Sequence, residues 1–169
     1  VDPCGYRTLM VWQLAERHYD IPGLAGKLRD ACPPGNVRPN SEALLPLLET
    51  GDMDYSFQYL SVALQHKLRF VRLPPQVNLG DPSLRELYRK AAVRLRGKRL
   101  GEHILKRGEP IAYAITVPEA SPHPKLALEF VKFVLSEDGM RIIRQCGQNP
   151  LRPPRLRGEI PSELLEVER

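Results

Sequence analysis

At 169 residues, with 42% hydrophobic and 27% charged residues, the chain is long enough to bury a core and too apolar to be a disordered polyelectrolyte. Its formal net charge of +5 suits an anionic ligand or an acidic surface; the 25 lysines and arginines are spread along the chain, which argues against a nucleic-acid partner. No apolar run is long enough to span a bilayer as a helix, and Val1 opens without a signal peptide, the expectation for a mature or cut-down piece.

Asp2-Pro3-Cys4-Gly5-Tyr6 reads as a helix start, with Asp2 capping the free N–H groups and Pro3 at the first helical position. That helix is predicted to run to about Tyr19, with Val11, Leu14, Ala15 and His18 forming a buried stripe. A turn-rich stretch from Cys32 to Asn40 leads to a helix over Ser41–Thr50, ended by Gly51. Pro46 argues for a later start there, because inside a helix it would cost about 3 kcal/mol. Asp54–Phe57 reads as a strand, Tyr59–His66 as a helix and Arg69–Leu73 as a second strand, the order that builds a parallel α/β sheet. Further extended segments are predicted at Tyr88–Leu95, within the basic run to Arg99 that reads as an edge strand, and at Pro110–Val117, which is nearly all apolar. The last long helix starts at Pro124, turns Leu126, Phe130, Phe133 and Val134 to one side, breaks near Ser136 and ends at Gly147. A Pro- and Arg-rich tail follows, with one closing turn at Ser162–Val167.

Four histidines and 20 acidic residues form no HExxH, and the chain has no Gly-x-Ser-x-Gly and no Walker or Rossmann glycine pattern. No nucleophile–base pair is suggested, so the chain reads as a non-enzyme without a cofactor. Cys4, Cys32 and Cys146 lack metal-ligand spacing; a Cys4–Cys32 disulfide and three free thiols are both open. Two places suit a ligand. Free N–H groups and the dipole at the first helix start make an anion site, with Gly5 permitting close approach. Tyr59 opens a helix directly after a predicted strand, where α/β sheets present binding groups. An ordinary cap and a packing aromatic explain the same residues.

Several blocks carry a resemblance. Asp2-Pro3-Cys4-Gly5-Tyr6-Arg7 is similar to the opening motif of the archaeal-type tungstate/molybdate-binding proteins of ABC transporters. Leu48–Tyr55 resembles that family's Leu-Glu-Ser-Gly-x-Leu-Asp-Tyr run, and Tyr59–His66 its Tyr-(Lys/Arg)-Ser-Val-Ala-x-Gln-His stretch, departing at Leu60. Leu73–Leu79, Pro110–Tyr113 and Leu135–Gly139 follow in family order, so the likeness runs to about Pro150.

The resemblance implies a two-lobed protein that clamps a tetrahedral oxyanion and delivers it to a membrane permease. Carried over, Asp2 is a first carboxylate, the Cys4 amide donates to the anion and Tyr59 gives its phenol. A carboxylate beside a dianion is repelled, which implies that Asp2 oxygen ligates the metal centre and expands its coordination toward six oxygens. Sulfate would be excluded on that ground. The family motif Arg-Pro-Lys-Glu reads here Arg38-Pro39-Asn40-Ser41, with Glu42 one place later. Either Glu42 supplies the second carboxylate, or Ser41 makes a plain hydrogen-bonding site. The family's N-terminal half, whose serine-bearing loops face the anion, has no counterpart in these residues.

The expected fold class is therefore α/β: a type II periplasmic-binding-protein-like lobe, a mostly parallel sheet flanked by helices, plus a returning C-terminal helical segment. Residues 1–111 would form the oxyanion-binding lobe, and 112–169 a crossover strand and helices returning to the missing first lobe. Expected partners are tungstate or molybdate, an ABC permease and the missing N-terminal lobe, outside the cytoplasmic membrane, with no nucleic acid. The rivals are an effector-sensing domain of a transcription regulator on the same fold and an interaction-only remnant.

Overall fold

In the computed structural model, which describes residues 2–165, the first helix, α1, spans Pro3–His18. Its start follows from the sequence: Asp2 caps it by accepting the Cys4 N–H at 2.7 Å, and Pro3 gives up no N–H that a helix would need. Val11 and Leu14 are buried as the spacing predicts, with Met10 beside them, but Ala15 is only half-buried and His18 is exposed. It lies in the last turn beside Arg17, where cations suit the free carbonyls, and its ring meets Tyr19 edge-on. The buried stripe thus ends one turn early.

A left-handed Gly23 (φ 78°) then opens α2, Leu24–Ala31, and Glu16 accepts the Ala25 N–H at 2.9 Å. After a 3₁₀ turn at Pro34–Asn36, a second one at Glu42–Leu44 precedes α3, Leu45–Thr50. Pro46 sits in the first turn of α3, where its missing N–H is harmless, so the α-helix starts later than Ser41. Gly51, at φ 79°, closes it. The next helices are α4 (Leu60–Gln65), α5 (Pro75–Asn78) and, after a 3₁₀ turn at Pro82–Leu84, α6 (Arg85–Tyr88).

Strands β1 (Ala92–Arg96) and β2 (His103–Arg107) form an antiparallel hairpin in which Arg94 faces Leu105. They are the only paired strands among the described residues. The strands predicted at Asp54–Phe57, Arg69–Leu73 and Pro110–Val117 carry no ladder, and residues 112–116 are exposed. An apolar run is not a strand until a second backbone satisfies its N–H and C=O groups in a ladder; Ile111 donates to the Leu79 carbonyl at 2.8 Å, but none of these segments forms a ladder among the described residues. The predicted mostly parallel sheet is accordingly not present among these residues. What they hold is helices and one small sheet.

Two compact units emerge. The first takes the described residues up to Tyr59 together with Val71–Ala112. Its core joins Met10, Val11 and Leu14 of α1 to Val77 and Leu79, Tyr88 of α6, Ala91 and Val93. Tyr88 is fully buried, its hydroxyl donating to the Pro75 carbonyl at 2.6 Å and accepting the Asp81 N–H at 3.1 Å. Gln13 fixes α1 to β1 with its amide, donating to the Ala92 carbonyl and accepting the Ala92 N–H, both at 2.9 Å. The second unit takes Leu60–Phe70 and the residues from Tyr113 onward. It contains α7 (Pro124–Leu135), α8 (Glu137–Gln145) and α9 (Ser162–Leu165). Ser136 is the predicted break: it ends α7 and caps α8, its Oγ accepting the Gly139 N–H at 3.3 Å. Gly147, at φ 79°, follows α8, and a side chain there would strike Leu64. The closing turn predicted to reach Val167 appears as α9, and its last residues lie outside the described range.

Candidate functional site

The start of α1 gathers most of the predicted site residues within the first unit. Asp2 receives two backbone amides, Cys4 N–H on Oδ1 at 2.7 Å and Ser41 N–H on Oδ2 at 2.5 Å. A cap for one helix thereby also holds a segment 39 residues away. Gln58 grips the other face of Ser41, its Nε2 donating to the Ser41 carbonyl at 2.9 Å. The Cys4 thiol donates to the Phe57 carbonyl at 3.3 Å, and Phe57 packs edge-on against Trp12 with ring centroids 5.8 Å apart. These bonds draw residues 57–59 alongside α1. Tyr59 then receives the Arg7 guanidinium on its hydroxyl, Nη1 to Oη being 2.6 Å.

Electrostatics sort these groups. Burial pushes the Asp2 carboxyl up, but the Cys4 amide and the Ser41 amide and hydroxyl outweigh it, so its pKa falls below the usual carboxylate value and the group is ionised at neutral pH. Burial, with the Asp2 charge, pushes the Cys4 thiol up to about 11 against the opposing pull of Arg7. It is a protonated donor and not a nucleophile. Burial also raises the Tyr59 phenol, with Arg7 pulling the other way, so Tyr59 keeps its proton at neutral pH.

The predicted residues do not all meet. The Cys4 amide, expected to face an anion, is taken by Asp2. Ser41 enters through its backbone, held at both N–H and C=O, and through its hydroxyl, which acts on Asp2 and not on open space. Glu42 opens the 3₁₀ turn beside Ser41 with an exposed side chain that makes no recorded contact to Asp2 or Tyr59. Around Gly5 the space is open, with nothing within 4 Å of where a Cβ would stand. Two contributors escaped the sequence reading. Arg7 sits three residues after Cys4 on the same helix, a spacing that puts both on one face and could have flagged it. Gln58 gave no signal beyond lying next to Tyr59. All three cysteines are free thiols, which leaves the Cys4–Cys32 disulfide unformed.

The family model for bacterial extracellular solute-binding protein matches residues 1–148. The chain belongs to that family.

Among curated relatives, an uncharacterized solute-binding protein of Petrotoga mobilis is 45% identical over 153 residues, 90% of this chain and 48% of its own length. The molybdate/tungstate-binding protein WtpA of Pyrococcus abyssi is 38% identical, covering 96% of this chain and 52% of the relative. WtpA of Thermococcus kodakarensis is 35% identical over 96% of this chain and 50% of its own length. The chain thus spans about half the length of the curated relatives it matches. Membership points to binding in place of catalysis and to an extracytoplasmic setting. Among the described residues, no helix is long and apolar enough to cross a membrane, and no cluster of three or more His, Cys, Asp or Glu could hold a metal ion.

Proposed function

We propose that this solute-binding protein captures molybdate or tungstate outside the cytoplasmic membrane and hands it to an ABC permease. The observation that carries the reading is the Asp2–Cys4–Tyr59 arrangement at the start of α1: an ionised carboxylate on Asp2 and a protonated phenol on Tyr59, which Cys4 and Arg7 hold alongside that helix, in a chain whose relatives include two named for these anions. Tyr59 would donate its O–H to an anion oxygen. Asp2, repelled by a plain dianion, would approach only as an oxygen ligand of the metal centre, which molybdenum and tungsten accept and sulfur does not. Glu42 or Ser41 would complete the set, Glu42 as a second ligand if its segment shifts, Ser41 as a hydrogen-bond donor. Residues 1–111 would be the oxyanion-binding lobe and 112–169 the part returning to a second lobe, with that lobe supplied by residues outside these 169.

Isothermal titration of the full-length gene product with tungstate, molybdate and sulfate tests the reading. Tungstate and molybdate should bind, and sulfate should compete only weakly. Tyr59→Phe should weaken tungstate binding by about 0.5–3 kcal/mol, the range for a hydrogen bond to a charged partner or a buried group left unmet. Unchanged affinity in that variant would remove Tyr59 from the site, and failure of the wild type to bind either oxometalate would remove the function.

A further inference from the structure

We infer that Arg7 is a positioning residue for anion recognition, orienting the Tyr59 hydroxyl so that its proton points outward to the ligand; this rests on the oxyanion reading above. A guanidinium has only donors, so at 2.6 Å from Arg7 Nη1 the Tyr59 oxygen can only be the acceptor. A phenol O–H lies in the ring plane in one of two directions. With the oxygen accepting from Arg7, the proton is turned away from the guanidinium. No acceptor for it is recorded among the described residues, so the one donor that Tyr59 owns is unspent.

Arg7 is itself held. Its guanidinium carbon stands 5.9 Å from the Tyr6 ring centroid and 5.8 Å from that of Tyr59, both within cation–π range. Two aromatic faces fix the cation, and the cation fixes the phenol. The bond from Arg7 also polarises the O–H, making it a stronger donor than the same phenol would be without Arg7. A donor with an oriented, polarised proton and no internal acceptor favours a ligand oxygen that is acceptor-only, which describes a fully deprotonated oxyanion. A ligand presenting its own hydroxyl proton at that point would clash donor to donor. Arg7 therefore contributes to selectivity without touching the ligand.

The test is a double-mutant cycle on tungstate affinity in the full-length gene product, with wild type, Arg7→Met, Tyr59→Phe and the double variant. Arg7→Met should weaken binding by about threefold to a hundredfold, and adding Tyr59→Phe should cost no more than about twofold further. Arg7→Lys, which keeps a donor, should recover part of the loss. In the ligand-free protein, the ultraviolet titration of Tyr59, isolated by subtracting that of Tyr59→Phe, should move to higher pH in Arg7→Met. The charges facing this phenol are Arg7 and Asp2, with Cys4 beside them, and only Arg7 lowers it. Losses that multiply in the double variant would mean that Arg7 acts on the anion independently and would overturn the inference while leaving oxyanion binding intact. An unmoved Tyr59 titration would overturn it too. A wild type that binds no oxyanion would overturn both readings.

Discussion

The two units bury their apolar residues to very different degrees. In the first, Met10, Leu14, Val77, Leu79, Tyr88 and Ala91 are at most 1% exposed. In the second, α7 and α8 follow equally regular helical patterns, yet Leu126 is 69%, Phe130 59% and Phe133 49% exposed. The helices of both form from the same local signals, caps and periodic apolar residues. What differs is whether residues distant in sequence come back to cover the stripe. In the first unit, Val77 to Val93 return to α1, and the side chains of Gln13 and Tyr88 lock that return with hydrogen bonds. In the second, Val131 and Met140 are buried, but no described residue covers Leu126, Phe130 and Phe133, which indicates that amphipathicity names the face to be buried but not its partner.

The contrast predicts unequal sensitivity to mutation. Leu14→Ala should destabilise the protein by about 2–5 kcal/mol in a chemical denaturation series, because it opens a cavity in a closed core. Phe133→Ala, although it removes more side chain, should fall well below that. A Phe133→Ala cost equal to that of Leu14→Ala would mean that the exposed face is covered in solution and would break the comparison. Next in size is Tyr88→Phe, which leaves the Pro75 carbonyl and the Asp81 N–H without their partner. It should cost about 1–3 kcal/mol with no change in oxyanion affinity.

The same contrast explains how much was legible in the sequence. Local devices were: Asp2 and Pro3 start α1, Pro46 delays α3, and Ser136 and Gly147 punctuate the last helices, because each acts within a few residues of itself. Devices that need a distant partner were not. Ile111–Val117 has the composition of a covered strand, yet no neighbouring strand pairs with it among the described residues. β2 escaped notice because all five of its residues are exposed and show no alternation. At the site, Asp2 was readable as a cap, but its second bond, to Ser41, joins segments whose approach no local pattern encodes. Arg7 was passed over for a similar reason, since its partner Tyr59 is 52 residues away.

Smaller effects sharpen the account at Asp2. Asp2→Asn should cost about 0.5–1.5 kcal/mol at neutral pH: asparagine caps the Cys4 N–H nearly as well, but its single oxygen cannot also accept the Ser41 N–H. Its pH dependence should change more visibly. The Asp2 carboxyl has a folded-state pKa below its unfolded value, so the stability it adds is present above roughly pH 4 and is lost as pH falls through the folded value. Wild type should therefore lose stability on acidification faster than Asp2→Asn does, as thermal melts at several pH values would record. In competition titrations, the same variant should lose tungstate affinity while sulfate binding holds or improves, because the repulsion of the carboxylate is gone. Equal loss for both anions would reduce Asp2 to a cap.

The most direct test of the central claim is to locate the metal. Crystals of the full-length gene product grown with tungstate, measured across a tungsten absorption edge, should give an anomalous peak at the start of α1, with the Asp2 carboxylate in the tungsten coordination shell and the Tyr59 hydroxyl on one of its oxygens. A well-occupied peak elsewhere, with Asp2 still holding only the Cys4 and Ser41 amides, would contradict the account.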